Sequence, residues 1–379
     1  MYMLGLRRLG HQVWYLEDTA ECNLDLITGN QGTDPRYALE FIQSTLQPYD
    51  LGHKWCYIDY LGRNYYGHSR EAWRRVCAEA DLLLNLSGGC WFWRDEYASI
   101  PYSAYIDSEP GFTQIGIPRT GREEFFARFN ALFTFGRNIG TAASPVKTAP
   151  FQWEHTWQPV DETEWRPNGE PPRACFTTVM TWHIDSFAGI DGNKDREFLK
   201  FLHLPSVTHV PIELAVNGPK DFLRRHGWRC RDALSVSYDI SSYRRYLQTS
   251  CGEFSVAKHI YVETNSGWFS DRTACYLASG RPAVVQDTGF SAYLPCGDGL
   301  LSYKSLDEAK FGLEAVEADY ARHSRAAREL AINYFSPEVV LPPLLERATR
   351  GTGTAANMTK DVRCVPNGTQ HSQQSTDEA

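Results

Sequence analysis

The stretch SGWFSDRTACYLASGRPAVVQDTGF, residues 266 to 290, decides how the chain folds. It reads as a glycine-containing turn, a short helix of small and apolar residues, a Gly-Arg-Pro break, an Ala-Val-Val strand and an Asp-Thr-Gly loop. Ala274, Leu277 and Ala278 share one helix face, and side chains that small let a helix pack close to a sheet.

The same alternation extends in both directions. From residue 174, ACFTTVMTW reads as a strand, KDREFLKFLHL as a helix, THVPIELAV as a strand, PKDFLRRHG and SSYRRYLQTS as helices, and GEFSVAK as a strand. Beyond the opening stretch come the strand GLLSY, the helical run SLDEAKFGLEAVEADYARHSRAARELAINYF and one more helix, PEVVLPPLLERA. The first half repeats the scheme with an amphipathic helix at 70 to 80 and the strand DLLLNLSG at 81 to 88, apolar on both faces as parallel strands are. SAYIDSEPGF at 103 to 112 is a strand running into a Pro-Gly turn, followed by a helix around 121 to 129 and the strand ALFTFG. Strands alternating with helices predict parallel sheets flanked by helices.

From about 145 to 173 the chain is rich in Pro and Trp and has no period, which marks a boundary. The expected fold is therefore α/β, with two Rossmann-like doubly wound domains facing across a cleft. Residues 1–150 form the first, 151–173 a linker, 174–335 the second, 336–350 a C-terminal helix and 351–379 a disordered tail. MYMLGLRRLGH has the spacing of a helix and QVWYLED that of a strand, yet nothing precedes the helix. The expectation is that the chain starts one element late, with the first strand of the N-terminal domain missing.

Bulk properties narrow the function. A chain of 379 residues suits two domains, and 42% apolar with 22% charged residues is ordinary for a globular protein. A net charge of −8 gives no reason to expect a nucleic-acid partner. The ten cysteines are scattered without a CxxC pair, so metal-ligand spacing is absent and a reducing cytoplasm is expected. No apolar run approaches the roughly 18 residues needed to span a bilayer. No G-x-G-x-x-G follows a strand, which disfavours a dinucleotide oxidoreductase.

Open parallel sheets bind ligands at the carboxyl ends of their strands. The loop from Asn265 to Phe269 would leave a helix N-terminus at Ser270 and Asp271, where backbone N–H groups favour an anion. Ser270 is equally an ordinary capping residue. Asp107 and Glu109 in SAYIDSEPG lie at a strand's carboxyl end; Asp107 is the first choice for a general base and Glu109 the second, while Asp107 could instead organise the Pro110-Gly111 turn. Asp18 and His183 are weaker candidates. Trp91, Trp93, Trp182, Trp268 and Phe290 fall where loops should line a cleft, and two or three of them are expected to touch ligand.

ACYLASGRPAVVQDTGF, followed by GLLSYKSLDEA and a helical end in AARELAINYF, resembles the nucleotide-sugar domain of GT-B fold glycosyltransferases, in particular the bacterial group-1-like branch that includes family 4 and CgeB-like proteins. GIDGNKDREFLKFL at 189 to 202 resembles the stretch where that family opens a helix with a Lys on the donor diphosphate, which would make Lys194 a phosphate ligand. The resemblance implies further donor contacts from Lys258, Ser266, Gly267, Ser270, Asp271 and Arg272, from Thr288 and Gly289 in the neighbouring loop, and from Glu253 as an acidic contact. It departs in one respect. Retaining members carry two glutamates separated by seven residues, and the matching positions here hold Gly267 and Cys275, so the stereochemical outcome stays open. The implied function is a hexosyltransferase moving a sugar from a nucleotide-diphosphate sugar to the hydroxyl of an unknown acceptor. Neither a metal nor a cofactor is expected, in keeping with the lack of an Asp-x-Asp motif. A non-catalytic nucleotide-sugar-binding protein and a nucleotide-sugar epimerase are the alternatives.

Overall fold

The computed structural model describes residues 1–19, 23–24, 31–91, 93–168, 172–183 and 189–350. The expected tail, 351–379, lies outside them.

Six parallel strands build the C-terminal half: Phe176–Thr181, Ile212–Asn217, Arg229–Asp232, Gly252–Ser255, Ala283–Gln286 and Leu300–Tyr303. Counted in chain order, they lie in the sheet as 3-2-1-4-5-6. That is the doubly wound order, and it places the reversal point between Phe176–Thr181 and Gly252–Ser255. The helix Asp271–Ala278 lies against this sheet with Ala274, Leu277 and Ala278 fully enclosed, the close approach its small residues predict. The helical run after the last strand is two helices, Leu306–Ala318 and Tyr320–Phe335, broken where Asp319 caps the second through the N–H of Arg322.

The strands of the N-terminal half divide between two sheets. Tyr15–Glu17 pairs in parallel with Trp55–Ile58, which takes the antiparallel Tyr65–Tyr66 on its other side. Leu82–Leu86, Tyr102–Asp107, Ala131–Thr134 and Glu154–His155 form a second, all-parallel sheet in chain order. Among the described residues the two sheets join through one parallel bridge, Asp18 with Cys90. Asp18 itself is enclosed, accepting both guanidinium N–H groups of Arg94 at 2.7 Å and the Tyr97 hydroxyl at 2.8 Å, so it holds this joint.

Residues expected as a linker are built into both halves. Glu154–His155 is the edge strand of the second sheet, while Val160 and Trp165 are buried in the core of the C-terminal half. The last helix, Pro337–Ala348, returns to the N-terminal half, where Leu344 and Ala348 pack with Ala104 and Ile106 of Tyr102–Asp107. Residues Met1–Thr349 consequently cluster as one compact unit. A polar seam ties the halves further: Asn138 donates its backbone N–H to Ser266 and its amide to the Asn265 carbonyl, and Ser144 donates to the Thr264 carbonyl.

Candidate functional site

The two sheets present their carboxyl ends to each other, and Glu109 and Lys258 meet there. The chain leaves Tyr102–Asp107 through Ser108 to Glu109, and leaves Gly252–Ser255 through Val256 and Ala257 to Lys258. The Lys258 ammonium donates to Glu109 Oε2 at 2.7 Å, and the Tyr261 hydroxyl donates to the same oxygen. Both side chains are partly exposed, 26% for Lys258 and 43% for Glu109, so the pair can open toward a ligand. The rings of Phe112 and Tyr261, 5.3 and 5.7 Å from the ammonium, keep Lys258 in place.

Lys194 lies behind this pair. It opens the helix Lys194–Phe198 that follows the first strand of the sheet, and its ammonium donates to the carbonyl of Val256 at the end of the fourth. It therefore bridges the reversal point itself. Burial pushes its pKa well below the ordinary lysine value, and the nearby Arg272 and Lys258 push it the same way. Three cations here face two carboxylates, Glu253 and Glu109. A site that already penalises its own lysine charge is relieved by an incoming anion.

Arg272 and Glu253 form the floor of the site. Arg272 donates to Glu253 Oε1, to the Val179 carbonyl and to the Ser255 hydroxyl, each at 2.7 Å, and so stitches the helix Asp271–Ala278 to two strands. Glu253 is fully enclosed, and its Oε2 has no hydrogen-bond partner among the described residues. Glu253 is closed to a diphosphate, and Arg272 is committed to these three internal bonds. They act on the site as fixed charges.

Asp107 also departs from the expectation. It is fully buried and accepts four hydrogen bonds: from the Glu109 N–H at 2.9 Å, the Thr113 hydroxyl at 2.6 Å, the Gln114 amide at 2.9 Å and the Thr134 hydroxyl at 2.7 Å. Burial raises its pKa, with the four donors working against that shift. A carboxylate with its lone pairs filled by fixed donors has no room for an acceptor hydroxyl. Asp107 positions the turn that presents Glu109, whose Oε1 makes no hydrogen bond among the described residues.

The remaining candidates are divided between the helix end and the seam. Ser270 occupies the N-cap position of Asp271–Ala278, and its side chain makes no capping bond. Asp271 is exposed, with its own carboxylate on the N–H of Arg272, so an acidic group already stands at this helix end. Ser266 is enclosed, and Gly267 donates to the Thr288 carbonyl while its own carbonyl faces the Arg137 N–H. Thr288 donates to the Trp268 carbonyl. Gly289 adopts φ +99°, and a Cβ there would fall 2.4 Å from Asn265 Oδ1 and 2.5 Å from Asn138 Nδ2. Ser266, Gly267, Thr288 and Gly289 thus close the seam between halves instead of lining an opening. The weaker candidate His183 is half-exposed and pairs with Asp195 at 3.0 Å.

A cavity of about 270 Å³ opens beside Glu109 and Lys258, and residues of both halves line it. Of the five aromatic candidates, Trp91 lines it. Trp93 packs on Phe129, Trp182 on Phe198, Trp268 on Tyr261 and Phe290 on Phe269. Arg122, absent from the sequence candidates, also lines the cavity, its guanidinium 4.0 Å from the centre of the Trp91 ring. In TGREEFF an arginine beside two glutamates reads as a helix-end ion pair, which hid it. Among the described residues no group of three or more His, Cys, Asp or Glu side chains could hold a metal ion, and no helix is long and apolar enough to cross a membrane.

No protein-family model and no curated protein sequence matches the chain. Among solved structures, it is similar to a glycosyltransferase from Rickettsia africae ESF-5, with 8% identity and a TM-score of 0.47 over 89% of this chain and 98% of that one. It is similar to TarM, at 11% identity and a TM-score of 0.47 over 77% and 60% of the two chains. It is also similar to Anabaena Alr3699/HepE in complex with UDP-glucose, at 9% identity and a TM-score of 0.46 over 73% and 80%. Likeness at this level carries no argument, and the fold assignment rests on the strand order given above.

Proposed function

We propose that the chain is a glycosyltransferase that moves a sugar from a nucleotide-diphosphate sugar to an acceptor hydroxyl without a metal ion. The observation that supports this most is the Glu109–Lys258 pair where the carboxyl ends of both sheets meet, with Lys194 buried behind it.

Negative charge grows on the diphosphate as the bond to the sugar breaks. Lys258 turns from Glu109 to that charge, and Lys194, relieved of its unfavourable isolation, supports it from the reversal point. Glu109, released from Lys258, takes the proton of the acceptor hydroxyl as the acceptor oxygen bonds to the anomeric carbon and the diphosphate oxygen leaves with the bonding pair. A single displacement of this kind inverts the anomeric centre. The positions that hold glutamates in retaining members carry Gly267, closed into the seam, and the buried Cys275.

The test is incubation with a panel of UDP-, GDP-, ADP- and dTDP-sugars, following nucleoside diphosphate release and melting temperature. Slow release of nucleoside diphosphate from one donor is expected, abolished by Glu109→Gln. A melting shift without any turnover would instead make the protein a nucleotide-sugar binder, and the absence of both would overturn the reading.

A further inference from the structure

The cavity beside Glu109 has a composition of its own. Its wall is formed by Trp91, Tyr105, Phe112, Ile117, Phe126 and Ile190, five of them from the N-terminal half. An engineered apolar cavity of about 150 Å³ takes a benzene molecule. A volume of about 270 Å³ therefore holds one ring with a substituent. Aromatic walls favour a flat apolar body, which loses little on leaving water and stacks well.

The charged groups of the cavity divide in two. Glu109 and Lys258 neutralise each other. Arg122 does not share in that pairing: it is half-buried, its guanidinium carbon sits 4.0 Å from the centre of the Trp91 ring, and it has no carboxylate within ion-pair distance among the described residues. A guanidinium matches a carboxylate with two parallel hydrogen bonds. An apolar chamber with one uncompensated cation favours an anionic ligand over a neutral one.

We propose that the acceptor is a small aromatic acid carrying a hydroxyl, with its carboxylate on Arg122, its ring against Trp91 and Phe126, and its hydroxyl toward Glu109. The hydroxyl proton passes to Glu109 while the oxygen replaces the diphosphate at the sugar carbon. The assignment of this ligand as acceptor rests on the glycosyltransferase reading. Its binding does not.

The experiment is titration calorimetry without donor, on the full chain, with para-hydroxyphenylacetate and its methyl ester. The acid is expected to bind saturably and the ester about tenfold to a hundredfold more weakly, the scale of losing hydrogen bonds to a charged group. Arg122→Gln is expected to bring the acid down to the ester's affinity while leaving nucleoside diphosphate binding unchanged. No binding of the acid, equal binding of acid and ester, or an unchanged acid affinity in Arg122→Gln would each overturn the proposal. Should that variant not fold, the acid–ester comparison on the unaltered chain decides alone. Acid binding in a protein that turns over no donor would overturn the transferase reading and leave the ligand site standing, and donor turnover without acid binding would do the reverse.

Discussion

Replacing Lys194 by methionine should strengthen the empty protein and weaken its hold on a nucleoside diphosphate. The opposite signs follow from one fact: an ammonium is buried at the reversal point with a single backbone carbonyl as its hydrogen-bond partner among the described residues. Burial first, then Arg272 and Lys258, push its pKa well below the ordinary value of 10.5. Each unit of such a shift is about 1.4 kcal/mol against the charged form in the fold. Met is of similar length and apolar, and exchanging buried charge for apolar bulk gains on the order of 1–4 kcal/mol. The pH dependence has a definite sign. Between the lowered pKa in the fold and 10.5, the unfolded chain binds a proton that the folded chain lacks, so wild-type stability rises with pH through that window. Lys194→Met has no such rise, and its advantage shrinks as pH increases. Toward the ligand, losing a charge-assisted contact to phosphate costs about 1.5–3 kcal/mol, or roughly tenfold to a hundredfold in affinity. Free nucleoside should be unaffected, and wild-type affinity for the diphosphate alone should fall as pH climbs through the lowered pKa. Melting curves from neutral to alkaline pH, with titration calorimetry of UDP, GDP and ADP against their nucleosides, measure every part. A lower melting temperature at neutral pH, or equal loss for nucleoside and diphosphate, would refute the reasoning.

Three further outcomes are expected. Glu109→Gln should lower the transfer rate by about 10²–10⁴-fold with donor affinity kept within a few-fold, read by steady-state kinetics and calorimetry; a rate near wild type would remove Glu109 as base. Asp107→Ala leaves the donors of Thr113, Gln114 and Thr134 without their acceptor, so it should destabilise by about 1–3 kcal/mol or more in urea unfolding, while the protein that remains folded keeps its donor affinity. Gly289→Ala places a Cβ against Asn265 and Asn138 at a left-handed backbone position, and should cost about 1–3 kcal/mol, read as an earlier urea midpoint.

The parts of the fold legible in the sequence are those where one pattern dominates. Ala283–Gln286 is an apolar run set off by the Gly-Arg-Pro break, and it, Gly252–Ser255 and Asp271–Ala278 appear where the alternation of strands and helices puts them. The helix Phe112–Thr120 starts directly after Gly111 and was hidden by Gly116 and Pro118 inside it. Its place is set by Asp107, whose carboxylate collects Thr113 and Gln114 across the turn. Glu154–His155 is a strand because Phe133 and Thr134 offer an open edge, not because Glu and His favour one. The helix Arg36–Leu46, which buries Ile42 and Leu46 on one face, and the strand Trp55–Ile58 stand outside the sequence expectations.

The site was legible to the level of strand ends and no further. That rule singled out Asp107 and Glu109, while Lys194 and Lys258 came from the family resemblance. It could not order Asp107 and Glu109, two residues apart, since the choice is made by Thr134 on the neighbouring strand. It could not see that Ser266, Gly267 and Gly289 face loop 136–144 of the other half, because nothing local announces a contact more than a hundred residues away.

The most direct test of the central claim is a structure of the protein with a bound nucleoside diphosphate. The account predicts the diphosphate at the reversal point between Phe176–Thr181 and Gly252–Ser255, within hydrogen-bond distance of Lys194 and Lys258, with the Glu109–Lys258 pair opened. A diphosphate seated elsewhere, with that pair still closed, would contradict it.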